Sequence, residues 1–189
     1  MVIPITALWL PILLASVLVF VASFLLHVVI PLHASDFRGM PDEDAVQEAL
    51  RRHELAPGDY MLPFAPTPEH MRSEEYRAKL ERGPAAIVTV LKPSVVLGGM
   101  GATFVQWFAY TLLVGVLAAY MAGRTLPAGA EYLEVFRVTG TTAFAAYAMA
   151  LLQDSIWYGR GWSMTLKTVF DGLVYALLTG GVFGWLWPM

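Results

Sequence analysis

His27, Asp154 and Asp171 are ionisable side chains inside otherwise apolar stretches, and their types are those of a cation site. An imidazole with two carboxylates can ligate a divalent metal or relay protons. Gln106 and Gln153 fall at a comparable depth, and Lys167 stands four residues before Asp171, so the candidate layer is His27, Gln106, Gln153, Asp154, Lys167 and Asp171. An unpaired ionisable group inside a bilayer costs about 2.5–3.5 kcal/mol on insertion scales, which makes each one a functional hypothesis by default. The competing account is structural. An aspartate one turn into a helix is favoured by the helix dipole and by a lysine four residues earlier, and Asp154 can reach Arg160.

Other chemistries are excluded by residue type. The chain has no cysteine, which removes disulfides, thiolate nucleophiles, zinc–thiolate sites and iron–sulfur clusters. Haem is disfavoured, because His27 is within an apolar stretch and His33 just outside it, with no further histidine in the membrane segments. There is no P-loop, no HExxH and no GxSxG, and "GGMGATF" lacks nucleotide-fingerprint spacing. No inverted repeat of the secondary-transporter kind is visible. The net charge of −3 comes without a basic stripe, so nucleic acid is not a partner. No cofactor is expected.

The elements that would position these residues are membrane helices. Of the 189 residues, 57% are hydrophobic and only 14% charged, against about a quarter charged in a soluble domain. Four segments reach the roughly 20 apolar residues that a span needs, near residues 6–30, 101–121, 138–158 and 166–187. The first reads as a true span and not a cleaved leader, because no positive charge precedes it, its apolar core is too long and "LHA" before Ser35 is a poor cleavage site. The spacing predicts an all-α integral membrane protein, a four-helix bundle made of span 1 (residues 1–30) and spans 2–4 (residues 98–189). Threading the chain back and forth sorts the tryptophans into two interfacial belts, Trp9, Trp185 and Trp187 on one side, Trp107, Trp157 and Trp162 on the other.

Residues 31–97 form a polar insert carrying most of the charge. "PDEDAVQEALRRHE" orders acidic before basic residues, as a helix dipole favours, and "SEEYRAKLERG" has Ser73 as N-cap and Gly83 as stop. "APGDYMLPFAPTP" reads as turn and extended chain, and "AAIVTVL" as strand-like. The insert also holds most of the Lys and Arg, so the positive-inside rule sets it in the cytoplasm with both termini outside.

Small residues recur every four positions. Gly115, Ala119 and Gly123 line one ridge, and Gly172, Ala176, Gly180 and Gly184 another, as close helix packing requires. Such ridges build the bundle, and Gly181 beside Gly180 leaves room for a homo-oligomer or a larger membrane complex. "DFRGMPDEDAV", "APGDYMLP", "EYLEVFRVTG", "SIWY" and "FDGLVYALLTGGVFGWLWP" together resemble a family of short bacterial four-span membrane proteins without assigned function. The resemblance implies a bacterial inner membrane location and brings no catalytic residues. The resulting expectation is a non-catalytic accessory or scaffold subunit whose partner is the bilayer. The alternative is a channel or a proton- or metal-handling protein using His27, Asp154 and Asp171.

Overall fold

The structure, a computed structural model, describes residues 3–189. A 3-10 turn at Ile5–Leu8 leads into α1 (Trp9–Phe24), which ends in a π turn (Leu25–Val29) and a 3-10 turn (Pro31–His33). Then follow α2 (Glu43–Arg52), β1 (Gly58–Leu62), α3 (Pro68–Met71), α4 (Glu74–Arg82), β2 (Ala86–Val90) and α5 (Pro93–Leu97). The chain closes with α6 (Gly101–Thr125), α7 (Tyr132–Tyr147), α8 (Leu152–Tyr158) and α9 (Trp162–Trp185). Four helical stretches are long and apolar enough to span a bilayer: Ile5–Val29, Gly101–Thr125, Tyr132–Tyr158 and Trp162–Trp185. The protein is therefore an all-α, multi-pass membrane bundle.

Residues 3–38 and 101–189 form one compact unit, and residues 39–100 a second. In the first, α1 packs on α6 and α9, α6 on α7, and α7 along α9, so each span has two neighbours in a closed ring. Its core has two parts. One gathers Leu8, Ile12, Ala118, Ala122, Val135 and Phe183, and the other Val19, Val114, Ala143, Tyr147 and Tyr175. The buried hydroxyls of Ser16, Thr139 and Thr179 donate within their own helices, to Ile12 O, Val135 O and Tyr175 O, and Ser155 pairs with Thr165 across two helices, as a water-free interior favours.

The small-residue ridges lie inside this ring. A Cβ on Gly180 would come 2.9 Å from Phe136 Cδ2, one on Gly184 2.7 Å from Tyr132 Cδ2, and one on Gly172 2.9 Å from Ala148 Cβ. Gly123 meets the Ile3 carbonyl and Gly115 meets Ile12 in the same way. Ala119 and Ala176 are buried.

Helix boundaries differ from the sequence expectation where caps decide. The third span starts at Tyr132 and not near residue 138, because Glu131 and Glu134 form a capping box. The fourth starts at Trp162 and not near residue 166. The third is also broken at Ala148 (φ −121°, ψ −42°) without a proline. There the Tyr110 hydroxyl donates to the Ala146 carbonyl at 2.8 Å, the kind of side-chain insertion that interrupts a helix ladder. Gly159 (φ 66°) takes the left-handed conformation that ends α8 and turns the chain toward α9.

Two of the six tryptophans expected at the interfaces are turned inward. Trp187 is 7% exposed and donates from Nε1 to Pro127 O at 2.9 Å, because the chain after α9 folds back on the 127–130 turn. Trp107 is half-buried against Tyr110, Tyr147 and Tyr175. Trp9, Trp157, Trp162 and Trp185 are exposed.

In the second unit, α2 is capped by Asp42 and α4 by Ser73, whose Oγ accepts from Tyr76 N–H. The strands β1 and β2 pair antiparallel, Gly58 opposite Val90 and Leu62 opposite Ala86, which turns the segment expected to be turn and extended chain into half of a sheet. Pro63 and Tyr76 are its buried residues.

Candidate functional site

At the end of the bundle where span 1 leaves for the insert, three turns of chain converge on α9. The π turn closes with Ile30 N–H donating to Leu25 O, five residues back, and Pro31 then forbids further helix. The extra residue per turn and the 3-10 turn after it bring His27 and His33 face to face. Their rings stack at 4.3 Å, 4° from parallel. Both reach Asp171 on α9, His33 Nε2 at 2.9 Å and His27 Nε2 at 3.7 Å from Oδ2.

The outer atoms of both imidazoles are engaged. His27 Nδ1 is 3.0 Å from the Ser23 carbonyl, which can only accept, so Nδ1 carries a proton. His33 Nδ1 donates to Asp36 Oδ2 at 2.6 Å. Asp36 in turn accepts from Lys167 Nζ at 2.7 Å, and Lys167 also donates to Ser35 Oγ at 2.9 Å. Lys167 first, and His33 after it, hold the Asp36 carboxyl below the usual carboxylate range. The result is a chain of groups running Lys167–Asp36–His33–Asp171–His27.

Its inner end is short of positive charge. Asp171 is 1% exposed, and neither carboxylate oxygen, nor His33 Nε2 opposite, has an aligned hydrogen-bond partner among the described residues. With Nδ1 protonated, a neutral His33 offers a lone pair at Nε2, so two acceptors face each other at 2.9 Å. That arrangement is repulsive unless a proton or metal ion is shared between them. Counting formal charges with neutral imidazoles, Asp36 and Asp171 against Lys167 leave one net negative charge in a low-dielectric setting.

The candidate layer is thus brought together only in part. His27, Lys167 and Asp171 belong to one cluster, but Lys167 pairs with Asp36 and not with Asp171. Because α9 begins at Trp162, Asp171 lies about 14 Å along the helix, beyond the first turn where the dipole acts. The structural account of Asp171 from the sequence therefore loses both of its supports. Asp154 pairs with Arg160 at 3.2 Å and stands outside the cluster. Gln106 and Gln153 are exposed, and neither hydrogen-bonds to it. His33, Ser35 and Asp36 are the residues that sequence reasoning missed. The available signal was "HVVIPLHASD", two histidines straddling a proline with an aspartate three residues on.

No family model, curated protein or solved structure matches the chain.

Proposed function

We propose that this multi-pass membrane protein binds and passes cations through the His27–His33–Asp171 cluster. The observation that carries the reading is the buried Asp171 carboxylate, unpaired by hydrogen bonds and facing two imidazoles whose Nδ1 atoms are already committed. An intramembrane carboxylate with such neighbours is the usual mark of an ion or proton path. We assign the protein to a bacterial inner membrane, with the insert cytoplasmic and both termini outside, on the family resemblance and on the excess of Lys and Arg in the insert. The absence of cysteine makes that orientation testable with single cysteines introduced in the insert and labelled from either side.

Purified protein in proteoliposomes loaded with proton- and divalent-sensitive dyes tests the function. The native chain should show flux that Asp171→Asn abolishes while helix content and dispersity stay unchanged. Flux that is absent, or equal in the two proteins, overturns the reading.

A second reading, an accessory or scaffold subunit, is favoured by the surface of residues 39–100. Leu91, Val95, Val96, Leu97 and Met100 follow one another in sequence there and are all more than half exposed, and a run of apolar surface is commonly covered by a partner or by the bilayer. Gentle purification from native membranes, with mass determination, tests it. A stoichiometric partner supports the subunit reading, and protein that purifies alone counts against it.

A further inference from the structure

Resting on the cation reading, we propose that the resident cation is a divalent first-row transition metal of the zinc class, ligated by His27 Nε2, His33 Nε2 and the Asp171 carboxylate. The donor atoms lie within 4.8 Å of one another, close to the spacing that one ion of this class requires. Two imidazoles and one carboxylate are borderline donors suited to zinc, cobalt or nickel, whereas calcium and magnesium select oxygen. Three protein ligands leave a fourth position open to water or another ligand, as in exchangeable zinc sites.

The surroundings argue for a metal more strongly than the donors alone. Histidines that bind metals nearly always donate their other ring N–H to a carboxylate or carbonyl, which fixes the tautomer and aims the lone pair. Both partners are present, Asp36 on His33 and the Ser23 carbonyl on His27. Lys167 holds Asp36 from the far side, so His33 is oriented through two successive charge-assisted bonds. A tetrahedral ion with bonds of about 2.0–2.1 Å sets its donors about 3.3–3.4 Å apart. His33 and Asp171, at 2.9 Å, must open slightly and His27, at 3.7 Å, must close slightly. His27, 45% exposed, is the least enclosed of the three ligands, so the adjustment falls on it and tilts the two rings out of their stack.

The test uses full-length protein without a histidine tag, stripped with chelator, and titrated with cobalt(II) followed by optical absorption and with zinc by competition. We expect one ion per chain, visible bands of tetrahedral cobalt, and no displacement by excess magnesium or calcium. Asp171→Asn and His33→Gln should weaken binding at least 100-fold. His27→Gln, at an exposed position where refolding is not in question, should also abolish the tetrahedral spectrum. Asp36→Asn, which touches no donor position, should weaken binding about 10–100-fold, as loss of an outer carboxylate does. His53→Gln and His70→Gln, in the other unit, should leave it unchanged. Binding that survives the site variants and disappears with His53→Gln or His70→Gln overturns the assignment, as does absence of binding. Failure of metal binding beside Asp171-dependent proton flux removes the metal and leaves the cation reading standing. Binding without flux keeps the metal site and overturns the passage of cations alone.

Discussion

Gly180 and Gly181 are neighbours on α9, and adding one methyl group to each should have opposite effects. A Cβ at Gly180 would sit 2.9 Å and 3.1 Å from Cδ2 and Cε2 of Phe136, and 3.0 Å from its carbonyl oxygen. The ring can give way, but the carbonyl belongs to α7 and moves only if the two helices separate. Overpacking of this kind costs about 1–3 kcal/mol. At Gly181 the nearest atom is the Tyr132 hydroxyl at 3.6 Å, an ordinary van der Waals distance. Both substitutions gain the same helix propensity, about 1 kcal/mol for Gly→Ala, so the difference between the variants isolates the packing cost. Gly180→Ala should therefore be about 1–3 kcal/mol less stable than Gly181→Ala. For a chain of this size that is about 2–12 °C in thermal midpoint, at roughly 2–4 °C per kcal/mol. The assay is thermal unfolding in detergent followed by tryptophan fluorescence, with particle mass measured in parallel. Equal midpoints, or a less stable Gly181→Ala, would refute close α7–α9 packing as the use of this ridge. A fall in particle mass confined to Gly181→Ala would assign that face to a second subunit.

Two further outcomes follow from the same geometry. Tyr110→Phe removes the hydroxyl that meets Ala146 O at the break in the third span, and should cost about 0.6–1.7 kcal/mol in detergent unfolding; no loss would mean that another group satisfies that carbonyl. In chelator-treated protein the Asp36 carboxyl lies below its unfolded value of about 3.9, so its stabilisation is complete above that pH and is lost as pH falls through the lower folded value. The native thermal midpoint should thus fall more steeply than that of Asp36→Asn in this acid range and run parallel to it between pH 5 and 8; parallel curves throughout would show that Lys167 does not hold the folded carboxylate.

Much of the fold is legible because it rests on quantities that a sequence carries. Apolar length fixes the number of spans, and the small-residue period of four marks the faces that meet. Ser73 announces α4 by its type and position. What escaped depends on contacts between segments remote in sequence. Nothing local to "APGDYML" says that its end, Gly58–Leu62, will pair with "AIVTV", because a strand's partner is set by tertiary proximity and not by its own residues. The break at Ala148 is equally silent in the third span, since its visible cause is a tyrosine on the second. Trp187 reads as an anchor by type, and only the return of the chain onto Pro127 buries it.

The candidate site divides along the same physical line. Depth in a membrane can be counted from the sequence at 1.5 Å per residue, and His27, Asp154 and Asp171 all count to the same end of the bundle. Direction cannot. Each residue turns the helix by about 100°, so two side chains at equal depth face one another only if packing rotates both helices to suit. Asp171 is rotated inward and 1% exposed, while Asp154, beyond the break at Ala148 in the third span, is rotated toward Arg160. The second histidine lies where periodicity stops altogether. Beyond Phe24 the backbone passes through a π turn, an extended residue and a 3-10 turn, and no helical count carries across them. Yet that irregular stretch is what allows one short segment to present two imidazoles to a single aspartate on α9, with its own carboxylate, Asp36, held between His33 and Lys167. A regular helix through residues 25–36 would set His27 and His33 six residues and about 9 Å apart along its axis, too far for both to reach one carboxylate. The departure from regular helix at the end of span 1 is therefore the condition for the site, and the proline that looks in the sequence like a simple end to a span is part of how the site is made.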